Sequence, residues 1–132
     1  MSVTGGKYYI AAMKKIYHLS SCTTCQRILG ETGIGESDAQ GGFVMQDIKT
    51  EKITPGQLDA LKEKAGSYEA LFSRRALKYK ELKDKPHSES DYCRLILEEY
   101  TFLKRPVVLV GKAIFVGSDK KTVEGLKASI HR

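Results

Sequence analysis

The run Ile16-Tyr17-His18-Leu19-Ser20-Ser21-Cys22-Thr23-Thr24-Cys25-Gln26-Arg27-Ile28-Leu29 constrains the fold of this chain more than any other stretch. Alternating apolar residues give way to small hydroxyl residues, then to two cysteines three apart, then to apolar residues at helical spacing. That order predicts strand, loop and helix. It puts Cys22 at the start of the helix, where backbone N–H groups lack intrahelical partners and the helix dipole is positive, so a thiolate is favoured over a thiol. The thiolate is the nucleophile. Cys25, one turn further on, faces the same side and is placed to attack a mixed disulfide formed at Cys22, closing an internal disulfide and releasing the bound partner.

The 132 residues suit one compact domain whose core does not need disulfide staples. No run approaches the ~18 apolar residues of a membrane span, and Met1 to Met13 lacks the basic start and long apolar core of a secretion signal. A cytoplasmic setting is therefore expected. Three cysteines, two of them in one CxxC, fit a reducing compartment better than a disulfide scaffold. The formal charge of +6, from 22 basic against 16 acidic residues, is compatible with nucleic acid, an anionic substrate or an acidic partner. The basic residues are dispersed, however, with no dense Lys/Arg stripe and no aromatic–basic platform, so no direct nucleic-acid binding is expected and the charge reads as a solubilising surface.

Residues 1–12 show no apolar period and contain Gly5 and Gly6, which predicts an extension ahead of the first strand, Lys15 to Leu19. The helix after Cys22 runs toward Gly30, Gly33, Gly35, Gly41 and Gly42, and each glycine inside a helix costs ~1 kcal/mol relative to alanine, so a short helix and a long loop are expected. Phe43-Val44-Met45, followed by Asp47-Ile48-Lys49, predicts a second strand parallel to the first. Thr54-Pro55-Gly56-Gln57 is a capping box with proline at the first helical position, and Leu58, Leu61 and Ala65 supply the buried stripe until Gly66. Short helical pieces are expected around Tyr68, Leu71 and Phe72 and around Tyr79 and Leu82. Ser88 to Tyr100 reads as a helix, with Cys93 inside it as a small core residue. Val107 to Val110 and Ala113 to Val116, joined by Gly111-Lys112, predict a β-hairpin, and a last helix with Val123, Leu126 and Ile130 inward is expected to be capped by Ser118, with His131 and Arg132 at its end. The order gives an α/β fold with a four-stranded mixed sheet flanked by helices; around an amino-terminal CxxC, that arrangement is thioredoxin-like.

IYHLSSCTTCQR, DIKTEKITPGQL, YEALFSRRALKYKEL, FLKRPVVLV and GSDKKTVEGL, in that order, resemble the arsenate reductase (ArsC), Spx and YffB family of thioredoxin-fold proteins. The resemblance runs from about Met13 to the end. It implies a single domain over 13–132, a glutaredoxin-like core interrupted by a helical insertion. It matches Cys22 to the family's nucleophilic cysteine, His18 to the histidine four positions earlier, Arg105 to the arginine of the Arg-Pro motif, and Pro106 to the proline that is cis in this fold. Arg75 matches the middle-segment arginine of the Spx and YffB-like branches, whereas in the arsenate reductases that arginine sits closer to Ser73, so Arg74 or Arg75 would have to reach in from a shifted place. Two further departures concern arsenate. Lys112 to Ser118 carries no arginine where the reductases have one, and Cys25 stands where serine is usual in them, approaching the CxxC switch of Spx.

For the cysteine pair the alternatives are redox catalysis, a redox switch without turnover, a zinc half-site and two inert thiols. Zinc would need four N or S ligands, and no second CxxC or His-x-His supplies them. For Arg74, Arg75 and Arg105 the bland alternative is a solvated cation. The resemblance makes Arg105, Arg75 and Arg74, together with Thr23 and Thr24, the candidate anion- or substrate-binding set, because guanidinium forks match oxyanions and carboxylates. His18 and Pro106 are supporting residues, His18 as a packed strand residue able to tune Cys22 electrostatically. The function expected is that of a thiol-dependent oxidoreductase acting on a small oxyanion or disulfide. Cys22 would be its nucleophile and Cys25 its resolving thiol, with no bound metal or cofactor and with glutathione, glutaredoxin or thioredoxin as external thiol donor. The alternative is an Spx-like regulator that binds RNA polymerase. A monomer is expected.

Overall fold

Five residues, Lys14–His18, form β1, whose alternation sends Ile16 and His18 to one face of the sheet and Tyr17 to the other. The computed structural model describes residues 14–34 and 43–130. The expected extension at 1–12, the glycines at 35, 41 and 42, and the helix end at His131 and Arg132 lie outside the described residues.

After β1 the chain turns into α1, Thr23–Thr32, then β2, Val44–Asp47. β2 lies parallel to β1, with Ile16 opposite Met45 and His18 opposite Asp47. Gly30 sits inside α1 with no atom near the place a Cβ would take. The helix therefore passes through it and stops at Gly33, whose φ of 78° lets its N–H reach the Leu29 carbonyl at 2.9 Å. The expected glycine break thus comes three residues later than the first glycine, because an exposed glycine weakens a helix without redirecting it.

The hairpin is β3, Val107–Val110, and β4, Ala113–Val116, with Val107 opposite Val116. β3 runs antiparallel to β1, giving the order β2-β1-β3-β4 and the mixed sheet expected from the sequence. The last helix spans Lys120–Ile130. Its first-turn donor Thr122 N–H is met by the Asp119 carboxylate at 3.2 Å, so the cap falls on Asp119 and not on Ser118. Ile16 and Val108 from the sheet pack with Ile28 and Leu29 of α1, Ile34, and Val123 and Leu126 of the last helix. Such buried aliphatic side chains contribute about 1.5–3 kcal/mol each.

The chain divides into two compact units. The first is drawn from residues up to Asp47 and from Arg105 onward; the second is Ile48–Lys104, the helical insertion. It contains α2, Pro55–Ala65; a 3₁₀ turn, Glu69–Leu71; α3, Leu77–Glu81; α4, Glu89–Glu98; and a second 3₁₀ turn, Tyr100–Phe102; the last helix of the first unit is α5. The capping box at α2 is complete, with reciprocal bonds of 3.1 Å between Thr54 and Gln57, and Gly66 ends the helix. The helix expected over 88–100 divides at Glu99, whose carboxylate accepts from the Thr101 N–H and hydroxyl and starts the 3₁₀ turn. Phe72 is fully buried, stacked on Phe102 at 5.0 Å between centroids and edge-on to Tyr92 and Tyr79. Cys93 is only half-buried on α4, because α4 turns Tyr92, Leu95 and Ile96 inward instead.

Candidate functional site

Cys22 is the N-cap residue of α1, with extended backbone angles of φ −89° and ψ 116°. Its carbonyl accepts the first helical bond, from the Gln26 N–H at 3.0 Å, and its own N–H closes a turn onto the Leu19 carbonyl at 3.0 Å. The sulfur thus stands where capping side chains of serine or aspartate accept from the first-turn N–H groups. No strict side-chain cap bond forms with the neutral thiol, yet the thiolate is favoured. Partial burial pushes the Cys22 pKa up, but hydrogen bonding from the Cys25 backbone and thiol and from the Thr24 backbone, with the charge of Arg105, outweighs it and leaves the pKa below its ordinary value.

Cys25 is the opposite case. It is fully buried, and burial pushes its thiol up to about 12, helped by the charge of the Cys22 thiolate and only partly offset by a backbone hydrogen bond at Leu19 and by Arg105. All three cysteines are free thiols. In the reduced pair, ionisation is therefore favoured at Cys22 over the inner sulfur.

Arg105, half-buried at the start of β3, acts electrostatically on both sulfurs. The bond to Pro106 is cis. The structure thus brings together Cys22, Cys25, Arg105, Thr24 and, at the exposed first position of α1, Thr23. His18 is 8% exposed at the end of β1, and its Nδ1 is buried with no hydrogen bond among the described residues. This is a packed strand histidine, as expected.

Arg74 and Arg75 belong to the second unit and differ from each other. Arg74 donates to the Glu69 carboxylate at 2.9 Å and to the Tyr92 hydroxyl at 2.7 Å, and its guanidinium lies over the Tyr92 ring. Arg75 is exposed and makes no hydrogen bond or ion pair among the described residues. Arg74 is thus engaged within the insertion, whereas Arg75, exposed to solvent, has the setting of the solvated cation and keeps its donors available.

Three polar residues near Cys22 stand outside the expected set. Ser20 donates to the Asp47 carboxylate at 2.6 Å, and the Gln26 amide donates to the Ser20 carbonyl at 3.0 Å. The parallel register that puts Asp47 beside His18 creates the first contact, and no spacing rule reveals it. Among the described residues no three His, Cys, Asp or Glu side chains converge as a metal site requires, and no helix is long and apolar enough to cross a membrane.

No curated protein matches the sequence. Among solved structures, the chain is similar to the YFFB protein, at 18% identity over 89% of this chain and 99% of that one, with a TM-score of 0.71. It is similar also to an arsenate reductase from Vibrio cholerae, at 18% identity over 87% and 98% of the two chains and a TM-score of 0.70. An arsenate reductase (ArsC) related protein from Brucella melitensis is 21% identical over 87% and 94%, with a TM-score of 0.61. At these identities the likeness establishes the thioredoxin-like fold. The family model described as "ArsC family" matches residues 17–126, from β1 into α5, and the chain therefore belongs to the ArsC family.

Proposed function

We propose that this protein is a thiol-dependent oxidoreductase in which Cys22 is the nucleophile and Cys25 the resolving thiol. The observation that carries the reading is the division of labour between the sulfurs: Cys22 at the helix start with a lowered pKa, and Cys25 buried and held protonated. The Cys22 thiolate attacks one sulfur of a substrate disulfide, forming a mixed disulfide and expelling the other sulfur as a thiolate. Loss of the Cys22 charge then removes a repulsion that had kept Cys25 protonated, although burial still opposes ionisation. Cys25 gives up its proton to solvent or to the thiolate already expelled and attacks the Cys22 sulfur, closing the internal disulfide and releasing the second substrate thiolate. Two electrons have passed from protein to substrate, and an external donor such as glutathione, glutaredoxin or thioredoxin restores the dithiol in a cytoplasmic setting.

Arsenate is the weaker substrate in this proposal. A doubly charged oxyanion leaving water needs several forked donors, and one missing charged partner costs ~1.5–3 kcal/mol, roughly ten- to hundredfold in rate. Lys112 to Ser118 supplies no arginine, and Arg74 is engaged by Glu69 and Tyr92. The test is oxidation of a thiol donor by arsenate and by a small disulfide, measured on one preparation of wild type and of Cys22→Ser. Turnover with the disulfide that Cys22→Ser abolishes supports the proposal. A protein that turns over with neither, but binds RNA polymerase only when oxidised, is an Spx-like regulator instead.

A further inference from the structure

Ser20 is the residue on which two struts converge. Its hydroxyl donates to the Asp47 carboxylate at the end of β2, and its carbonyl receives the Gln26 amide from α1. Between them the loop makes a tight turn, closed by the Cys22 N–H on the Leu19 carbonyl. Cys22 stands two positions after Ser20, at the end of that turn. We propose that Ser20, held by Asp47, and Gln26 clamp the loop from both sides and so position the Cys22 sulfur against the first turn of α1; they are positioning residues, not catalytic ones. The inference rests on the reading of Cys22 as the reactive nucleophile.

The geometry argues for a clamp over a stability role. The bonds from Ser20 to Asp47 and from Gln26 to Ser20 are solvent-exposed, and exposed polar bonds add little to global stability because water competes for the same groups. What they fix is direction. The sulfur gains its anion stabilisation from the backbone at Cys25 and Thr24, and that gain depends on how the extended Cys22 residue enters the helix. A carboxylate close to a thiolate would oppose it by charge, but the leading charge acting on Cys22 is that of Arg105, and Asp47 reaches the loop through the Ser20 hydroxyl. Its contribution is therefore separable: asparagine at 47 keeps an acceptor oxygen and removes the charge.

The experiment is the pH profile of Cys22 alkylation by iodoacetamide, followed at the Cys22 peptide by mass spectrometry on the reduced full chain. Ser20→Ala and Gln26→Ala should shift the profile to higher pH, lowering the rate at pH 6 by roughly two- to tenfold, the worth of one ordinary hydrogen bond. Their rates on the alkaline plateau should match wild type, while Ser20→Thr and Asp47→Asn should retain the wild-type profile. Native-like melting of each variant is checked alongside, and if Ser20→Ala does not fold, Gln26→Ala at its exposed helix position carries the test. Profiles of Ser20→Ala and Gln26→Ala that coincide with wild type overturn the clamp. So does an acid-shifted profile for Asp47→Asn, which would make Asp47 a charge effect. A wild-type profile no more acidic than that of Cys93 overturns the nucleophile reading itself, and with it the clamp.

Discussion

Replacing Arg74 and Arg75 separately by alanine tests whether the engaged arginine and the exposed one have different roles. Arg74 makes an ion pair with Glu69 at 2.9 Å in which the side chains are 48% and 54% exposed, so that pair is worth ~0.2–1 kcal/mol. The bond to the Tyr92 hydroxyl at 2.7 Å adds ~0.5–1.5 kcal/mol, and the guanidinium over the Tyr92 ring at 5.5 Å about 0.5–1 kcal/mol. These terms share one side chain and do not simply add, so Arg74→Ala should cost about 1–2 kcal/mol. With an unfolding entropy of ~2.1 cal/mol/K per residue over 132 residues, Tm should fall by about 4–7 °C. Arg75 has no such partner among the described residues, so Arg75→Ala should change stability by no more than ~0.5 kcal/mol, about 2 °C. If Arg75 serves the anion site that the family resemblance implies, activity shows the reverse order: a roughly ten- to hundredfold loss of kcat/KM with an anionic substrate for Arg75→Ala, and a much smaller loss for Arg74→Ala. Calorimetry and thiol-donor oxidation on the same two variants decide it. If Arg74→Ala abolishes turnover with Tm unchanged while Arg75→Ala is fully active, the anion-site assignment is wrong.

Cys25 carries a pH signature. Its folded pKa, about 12, lies above its ordinary 9.0, so its contribution to stability is complete below 9.0 and is lost as pH rises toward 12, where the unfolded chain ionises first. Cys25→Ala should therefore flatten the alkaline decline of the urea midpoint across that window, and an equally steep decline in the variant would refute the burial argument. Gly30→Ala should raise stability by ~0.5–1 kcal/mol, since nothing lies near the added methyl. At Gly125 a Cβ would stand 3.3 Å from the Phe115 ring, so Gly125→Ala should gain less in the same melting assay; a larger gain at 125 than at 30 would contradict the packing of α5 on β4.

Local patterns were enough to place most elements. The period-2 run into CxxC, the capping box at Thr54, and the Gly111-Lys112 hairpin each depend on residues a few positions apart, and each forms as those residues dictate. The helix start at Cys22 is of the same kind, set by residues a few positions apart. Boundaries depended on finer competition: Asp119 and not Ser118 takes the cap of α5, and Glu99 interrupts the helix after α4.

Burial and long-range register were not legible. That Cys25 would be fully buried, and its thiol thereby held protonated, depends on how α1 lies on the sheet; two cysteines three apart read the same whether the second is wet or dry. Arg74 and Arg75 are adjacent and chemically identical, and only the packing of Tyr92 and Glu69 engages one of them. Ser20 and Asp47 are separated by 27 positions, and the parallel pairing of β1 with β2 is what makes them neighbours. Sequence therefore determined which chemical groups this protein carries and the local elements that bear them. Tertiary structure decided which of those groups meet and which are dry, because the desolvation that sets a thiol's charge and the contacts that hold a loop come from residues far apart in the chain.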